Sequence, residues 1–158
     1  MNNGEFYLQD AIEVIDEILS GGGEFRMYPK GTSMLPLIVQ ARDSVVLRRD
    51  AQRSVKKHDI AFYRRSNGQF VLHRVMKIEK DGSYTMCGDN QTYLEKGILK
   101  EQIIGYVSAL YNGEKMRDMD SFAYRFYVFF YCIIPIRKGI RFSKRIASAI
   151  VRRIRRKK

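Results

Sequence analysis

Short runs of β-favouring residues, cut at close intervals by turn sequences, constrain this chain more than any other feature. The runs fall at 25–28, 44–48, 60–64, 69–78, 83–87 and 103–111, and the clearest breaks are Ser66-Asn67-Gly68, Asp81-Gly82 and Asn112-Gly113. Such dipeptides supply the positive φ that tight hairpins need. The runs on either side of Asn67-Gly68 therefore predict a long hairpin. No helical period intervenes between 24 and 113, so the strands connect tightly and pair antiparallel. The expected fold is mostly β, a curled antiparallel sheet or small barrel. Ten Tyr and nine Phe suit such a pleated, half-buried surface.

Helical periodicity flanks this block on both sides. Leu8, Ala11, Ile12, Ile15, Ile18 and Leu19 share one helical face, while Glu13, Asp16 and Glu17 lie mostly elsewhere. Gly21-Gly22-Gly23 ends that helix and makes a join. The chain thus divides into an N-terminal amphipathic helix and glycine join at 1–23, a β domain at 24–113 and a tail at 114–158. From Phe122 to Ile136 the tail is aromatic and apolar apart from Arg125. Its uninterrupted stretch, 126–136, would reach only about 16 Å as a helix, short of the ~30 Å needed to span a bilayer. After Pro135 the apolar Ile140, Ala147, Ile150, Val151 and Ile154 form a second stripe opposite arginines and lysines. A basic amphipathic helix behind an aromatic plug reads as an interfacial membrane anchor; the plainer reading is a helix packed on the domain with its charges solvated.

Charge supports the anchor. Eleven of the 29 Lys and Arg fall within 137–158, where there is no Asp or Glu, leaving 18 basic against 17 acidic residues before it. A nearly neutral body with a basic tail argues for an appended surface-binding segment, and no specific nucleic-acid partner is expected. Two distant cysteines, Cys87 and Cys132, suggest neither a disulfide framework nor a metal site, and favour a reducing compartment. The first residues lack the basic region of a secretory signal.

Three stretches carry residues fit for chemistry. Ser33 stands in Gly31-Thr32-Ser33-Met34-Leu35-Pro36, where glycine and proline impose a rigid bend. A serine nucleophile needs a base within reach, and there are two histidines. His58 sits in a polar turn and reads as solvated; His73 lies in the apolar run Val71-Leu72-His73-Arg74-Val75. The third stretch, Cys87-Gly88-Asp89-Asn90-Gln91, closes a strand with an acid in a turn. Alone, each is an ordinary turn or a structural histidine.

Together and in order, these stretches resemble the signal peptidase and SOS-repressor superfamily of serine peptidases, over about 25–110. The first box is similar to residues 31–38. Asp43-Ser44-Val45-Val46-Leu47 resembles the connecting strand, and His58-Asp59-Ile60-Ala61-Phe62-Tyr63-Arg64 followed by His73-Arg74-Val75 resembles the second box. Gly88-Asp89-Asn90 looks like the third, and Ile103-Ile104-Gly105-Tyr106-Val107 like the closing strand. A histidine before Arg-Val resembles the endoplasmic-reticulum and spore-former branch, which uses histidine where other members use lysine. The resemblance implies a signal-peptidase-type β fold and a serine endopeptidase that removes a signal or leader peptide. Ser33 would be the nucleophile, His73 the general base and Asp89, the first family acid, or else Glu95 the acid that orients it, with no metal or organic cofactor. Two positions depart from the pattern: Glu95 stands where the second family acid is Asp, and Gly31 stands where some relatives carry an oxyanion-binding serine. The oxyanion donor would then be the Ser33 N–H.

The expected partners are a peptide or preprotein substrate and an anionic membrane surface, at the cytoplasmic face of a bacterial plasma membrane, to which polybasic segments are drawn. Two rivals stand beside this reading. One is a non-catalytic membrane- or nucleic-acid-binding module on a peptidase fold; the other is a self-cleaving repressor-like protein with the glycine join as its cleavage loop.

Overall fold

Each of the three turn sequences closes an antiparallel pair. The computed structural model describes residues 8–133 together with Gly139. Its strands are β1 (Phe25–Met27), β2 (Asp43–Arg48), β3 (Ile60–Arg64), β4 (Phe70–Ile78), β5 (Tyr84–Cys87), β6 (Glu95–Ile98), β7 (Ile103–Asn112) and β8 (Lys115–Arg117). Gly68, Gly82 and Gly113 take φ of 86°, 84° and 61° in the β3–β4, β4–β5 and β7–β8 turns. The predicted long hairpin is β3–β4, in register with Ala61 opposite His73 and Tyr63 opposite Val71.

The eight strands form one antiparallel sheet in the order β1-β2-β7-β3-β4-β5-β6, with β8 added to β7 beyond the end of β3. Register shifts at Val46/Leu47, Phe62/Tyr63, Val75/Lys77 and Tyr84/Met86 act as bulges, which bend and coil a sheet. The sheet is open: among the described residues β1 and β6 do not meet, so the small-barrel form of the expectation is corrected. One face buries Ala61, Tyr63, Val75, Tyr84, Met86, Ile98 and Tyr106 in a continuous cluster.

Helix α1 (Leu8–Ser20) buries Ile15 and Leu19 of its predicted stripe. Its glycine join is a closed cap. Gly22 takes φ of 79°, its N–H reaches the Leu19 carbonyl, and the Gly23 N–H reaches that of Ile18. This is the Schellman arrangement, satisfying carbonyls that the helix leaves open. Arg49 then ties the helix to the sheet, donating to Ser20 Oγ (2.9 Å), Asp16 Oδ1 (2.5 Å) and the Ile104 carbonyl (2.7 Å).

The chain resolves into two compact units, Met1–Met119 and Asp120–Lys158. Helix α1 and the eight strands fall within the first unit. In the second unit, α2 (Phe122–Tyr131) starts at Ser121, whose hydroxyl accepts from the Tyr124 N–H at 3.2 Å. Its rings pack along the helix, Tyr127 stacked on Tyr131 (4.3 Å) and Phe126 tilted at 50° against Phe130 (4.4 Å), and Phe122, Phe126 and Phe129 are exposed. No helix of the described residues is long and apolar enough to cross a membrane. The basic stripe expected beyond Pro135 lies outside the described residues.

Candidate active site

Ser33 owes its position to the turn after β5. Residues 31–38 form an irregular bend in which the Leu35 N–H reaches the Thr32 carbonyl and the Ile38 N–H that of Met34. Asn90 holds this bend twice: its N–H donates to the Ser33 carbonyl (2.7 Å) and its side-chain amide to the Thr32 carbonyl (3.1 Å). Gly88 makes that grip possible. A Cβ there would stand 2.6 Å from the Ser33 carbonyl oxygen and 3.0 Å from Ser33 Cβ, so only glycine admits so close an approach.

The residue between them reaches the other way. Asp89 accepts from Arg74 Nε (2.8 Å) and Nη2 (2.7 Å), both side chains being fully buried. Arg74 also donates to the His58 carbonyl (2.9 Å). His58, read as solvated, is half-buried with φ of 77°, and it presents its backbone to Arg74. Gly88-Asp89-Asn90 thus clamps the serine bend on one side and the His-Arg strand on the other.

Asp89 was expected to orient His73, with Glu95 as the other acid of the resemblance, and the two carboxylates sit differently. Both of its oxygens serve Arg74, whereas the carboxylate beside the imidazole is Glu95, with Oε2 at 4.0 Å from His73 Nδ1. That distance is too long for a hydrogen bond. Tyr63 fills the gap, its hydroxyl donating to Glu95 Oε2 (2.9 Å) and lying 3.2 Å from His73 Nδ1. Arg65 completes the row with a fork on Glu95, Nε to Oε1 (2.6 Å) and Nη2 to Oε2 (2.5 Å). Glu95 was legible as the second acid of the resemblance; Tyr63 and Arg65 carried no signal, since their partner Glu95 arrives with β6, the strand at the end of the sheet.

Electrostatics follow from burial. His73 is 3% exposed, and its pKa is lowered to about 4, first by desolvation and then by the Arg65 charge, with Glu95 and Asp89 opposing only in part. The imidazole is therefore neutral at neutral pH, and its contact with Glu95 is not an ion pair. Burial pushes the Glu95 carboxyl up, but the hydrogen bonds from Arg65 and Tyr63 outweigh it and hold the acid below its ordinary range. Tyr63 is pushed strongly upward by burial and by Glu95, so it stays protonated.

Ser33 and His73 line one cavity of about 200 Å³, with Met34, Ile38, Phe70 and Leu72 as apolar walls. Among the described residues the Ser33 hydroxyl makes no hydrogen bond to His73, and the Ser33 N–H makes none to any group. Catalytic contacts in unliganded enzymes often close only when substrate binds. No group of three or more His, Cys, Asp or Glu among the described residues could hold a metal ion. Comparison of the chain with family models, curated proteins and solved structures gave no match.

Proposed function

We propose that this protein is a serine endopeptidase that cleaves a signal or leader peptide from a precursor, on a fold of the signal-peptidase type. The observation that carries the reading is the convergence of three stretches far apart in sequence. The Gly88-Asp89-Asn90 turn bonds the Ser33 carbonyl and pairs with the neighbour of His73, and Ser33 and His73 face one cavity. In the reaction, Ser33 Oγ attacks the scissile carbonyl while His73 takes its proton. The imidazolium returns that proton to the leaving amine, and water then hydrolyses the acyl-enzyme by the same base. The Ser33 N–H is free to meet the developing oxyanion, a contribution of about 2.7–4 kcal/mol for a well-aimed donor. Arg74 and Asp89 hold the framework; Glu95 is the acid on the histidine's side.

The exposed phenylalanines of α2 and the basic residues of 137–158 suit an anionic membrane surface, at which a peptide substrate would be met on the cytoplasmic face. The closed cap at Gly21–Gly23 disfavours a self-cleaving reading, because the N–H groups of all three glycines are engaged on the Glu17, Leu19 and Ile18 carbonyls in ending α1.

A fluorophosphonate probe tests the nucleophile without knowledge of the substrate. It should label the full chain at Ser33, and Ser33→Ala and His73→Ala should each abolish labelling while the far-UV spectrum stays unchanged. Equal labelling of Ser33→Ala would overturn the assignment.

A further inference from the structure

We infer that Tyr63 is a positioning residue, which carries the influence of Glu95 to His73 and fixes the imidazole proton on Nδ1, leaving Nε2 bare. Its catalytic meaning rests on the peptidase reading above; the placement of the proton does not.

The argument is a count of protons. A phenol has one proton to donate and lone pairs with which to accept. Tyr63 stands between two groups, Glu95 Oε2 at 2.9 Å and His73 Nδ1 at 3.2 Å. Glu95, ionised and forked by Arg65, can only accept. The hydroxyl proton therefore faces either the carboxylate or the imidazole. A bond to an ionised acceptor is about twice as strong as one between neutral groups, so the carboxylate receives it. Towards His73 the tyrosine then offers only a lone pair. Nδ1 must bring the proton itself, and the chain runs Nδ1–H to Oη–H to carboxylate.

Tyr63 is fully buried, so bulk water does not reach its hydroxyl as an alternative partner. Glu95 cannot act directly across 4.0 Å. When His73 accepts the serine proton on Nε2, the new positive charge meets a hydrogen bond already aimed at a carboxylate, and no proton need leave Nδ1.

The test uses the full chain with His58→Asn. Asparagine tolerates the positive φ of that position, and His73 becomes the sole histidine. Imidazole ¹⁵N spectra at neutral pH should show the proton on Nδ1. Tyr63→Phe keeps the ring packing and should shift the population towards the Nε2–H form favoured by free histidine. Phosphonylation of Ser33 by the fluorophosphonate probe, in which Oγ bonds phosphorus and fluoride leaves, should slow by about tenfold to a hundredfold, less than the ~10²–10⁴ of the base itself. A parent protein protonated on Nε2 overturns the inference, and that spectrum decides even if Tyr63→Phe fails to fold. An unchanged tautomer in Tyr63→Phe, or a changed tautomer with an unchanged labelling rate, removes the positioning role. Nδ1 protonation in a parent that is never labelled at Ser33 would instead refute the peptidase reading.

Discussion

A histidine kept neutral by burial leaves a trace in both stability and rate. The unfolded imidazole titrates near 6.5, while folded His73 titrates at about 4. Between those values the unfolded chain binds more protons, so stability rises with pH there and falls on acidification. The slope attributable to one such group is at most about 1.36 kcal/mol per pH unit, complete once the pH drops below the folded value. His58 is lowered too, by burial and by Lys57 and Arg74, and contributes with the same sign. The clean measurement is thermal unfolding from pH 7 to 4 in the His58→Asn background. His73→Gln should flatten the melting temperature across that window; an unaltered slope would show that His73 is not the buried neutral group. On the proposed peptidase reading, the rate should follow the same titration. An unperturbed imidazole base would put the acid limb of kcat/KM near 6.5. The limb should instead lie near 4, with a plateau from pH 5 to 8, because desolvation and Arg65 have moved the base.

At the level of elements, the Arg74–Asp89 pair joins β4 to the turn after β5, and its removal is a framework lesion. Both groups are fully buried, and stranding one partner of such a pair costs about 3–5 kcal/mol. Asp89→Asn should therefore lower the melting temperature by roughly 10 °C, at 2–4 °C per kcal/mol for a chain of this size. Any protein that stays folded should retain much of its rate of probe labelling at Ser33. Glu95→Gln, at a partly exposed site, should show the opposite balance of small stability loss and larger rate loss. If Asp89→Asn melts normally yet is inactive, Asp89 is the orienting acid after all. This contrast marks how far sequence could reach. Strands β2, β3, β4, β5 and β7 were legible because β-branched and aromatic residues alternate between glycine turns. Strand β6, Glu-Lys-Gly-Ile, and β8, Lys-Met-Arg, have no such signal and exist only because a neighbour's edge receives them. Glu95 begins β6, so the placement of the acid beside Tyr63 was hidden with the strand that delivers it. The bend at Ser33 and the strand that carries His73 were legible because bends and apolar runs are local; which carboxylate lies beside the ring is a property of pairing.

At the scale of the whole molecule, charge and aromatic surface are gathered in the unit Asp120–Lys158, and they should respond differently to salt. Residues 137–158 hold eleven basic groups and no acid. Each Lys or Arg near an anionic leaflet contributes about 1 kcal/mol, an attraction that weakens as the Debye length falls from about 10 Å at 0.1 M salt to about 3 Å at 1 M. The exposed Phe122, Phe126 and Phe129 of α2 bind through apolar area, which salt does not screen. The full chain should therefore co-sediment with anionic vesicles at low salt, less with neutral ones, and be only partly stripped at 1 M. Phe126→Ser with Phe129→Ser should convert partial stripping into complete release, leaving low-salt binding largely in place. Because Met1–Met119 is compact by itself, deletion of 120–158 should abolish vesicle binding while probe labelling at Ser33 persists. Indifference of the full chain to both kinds of vesicle would dispose of the membrane reading. Resistance to high salt and alkaline carbonate alike would mean that the tail inserts into the bilayer, and the substrate would then be met within or across the membrane rather than at its cytoplasmic surface.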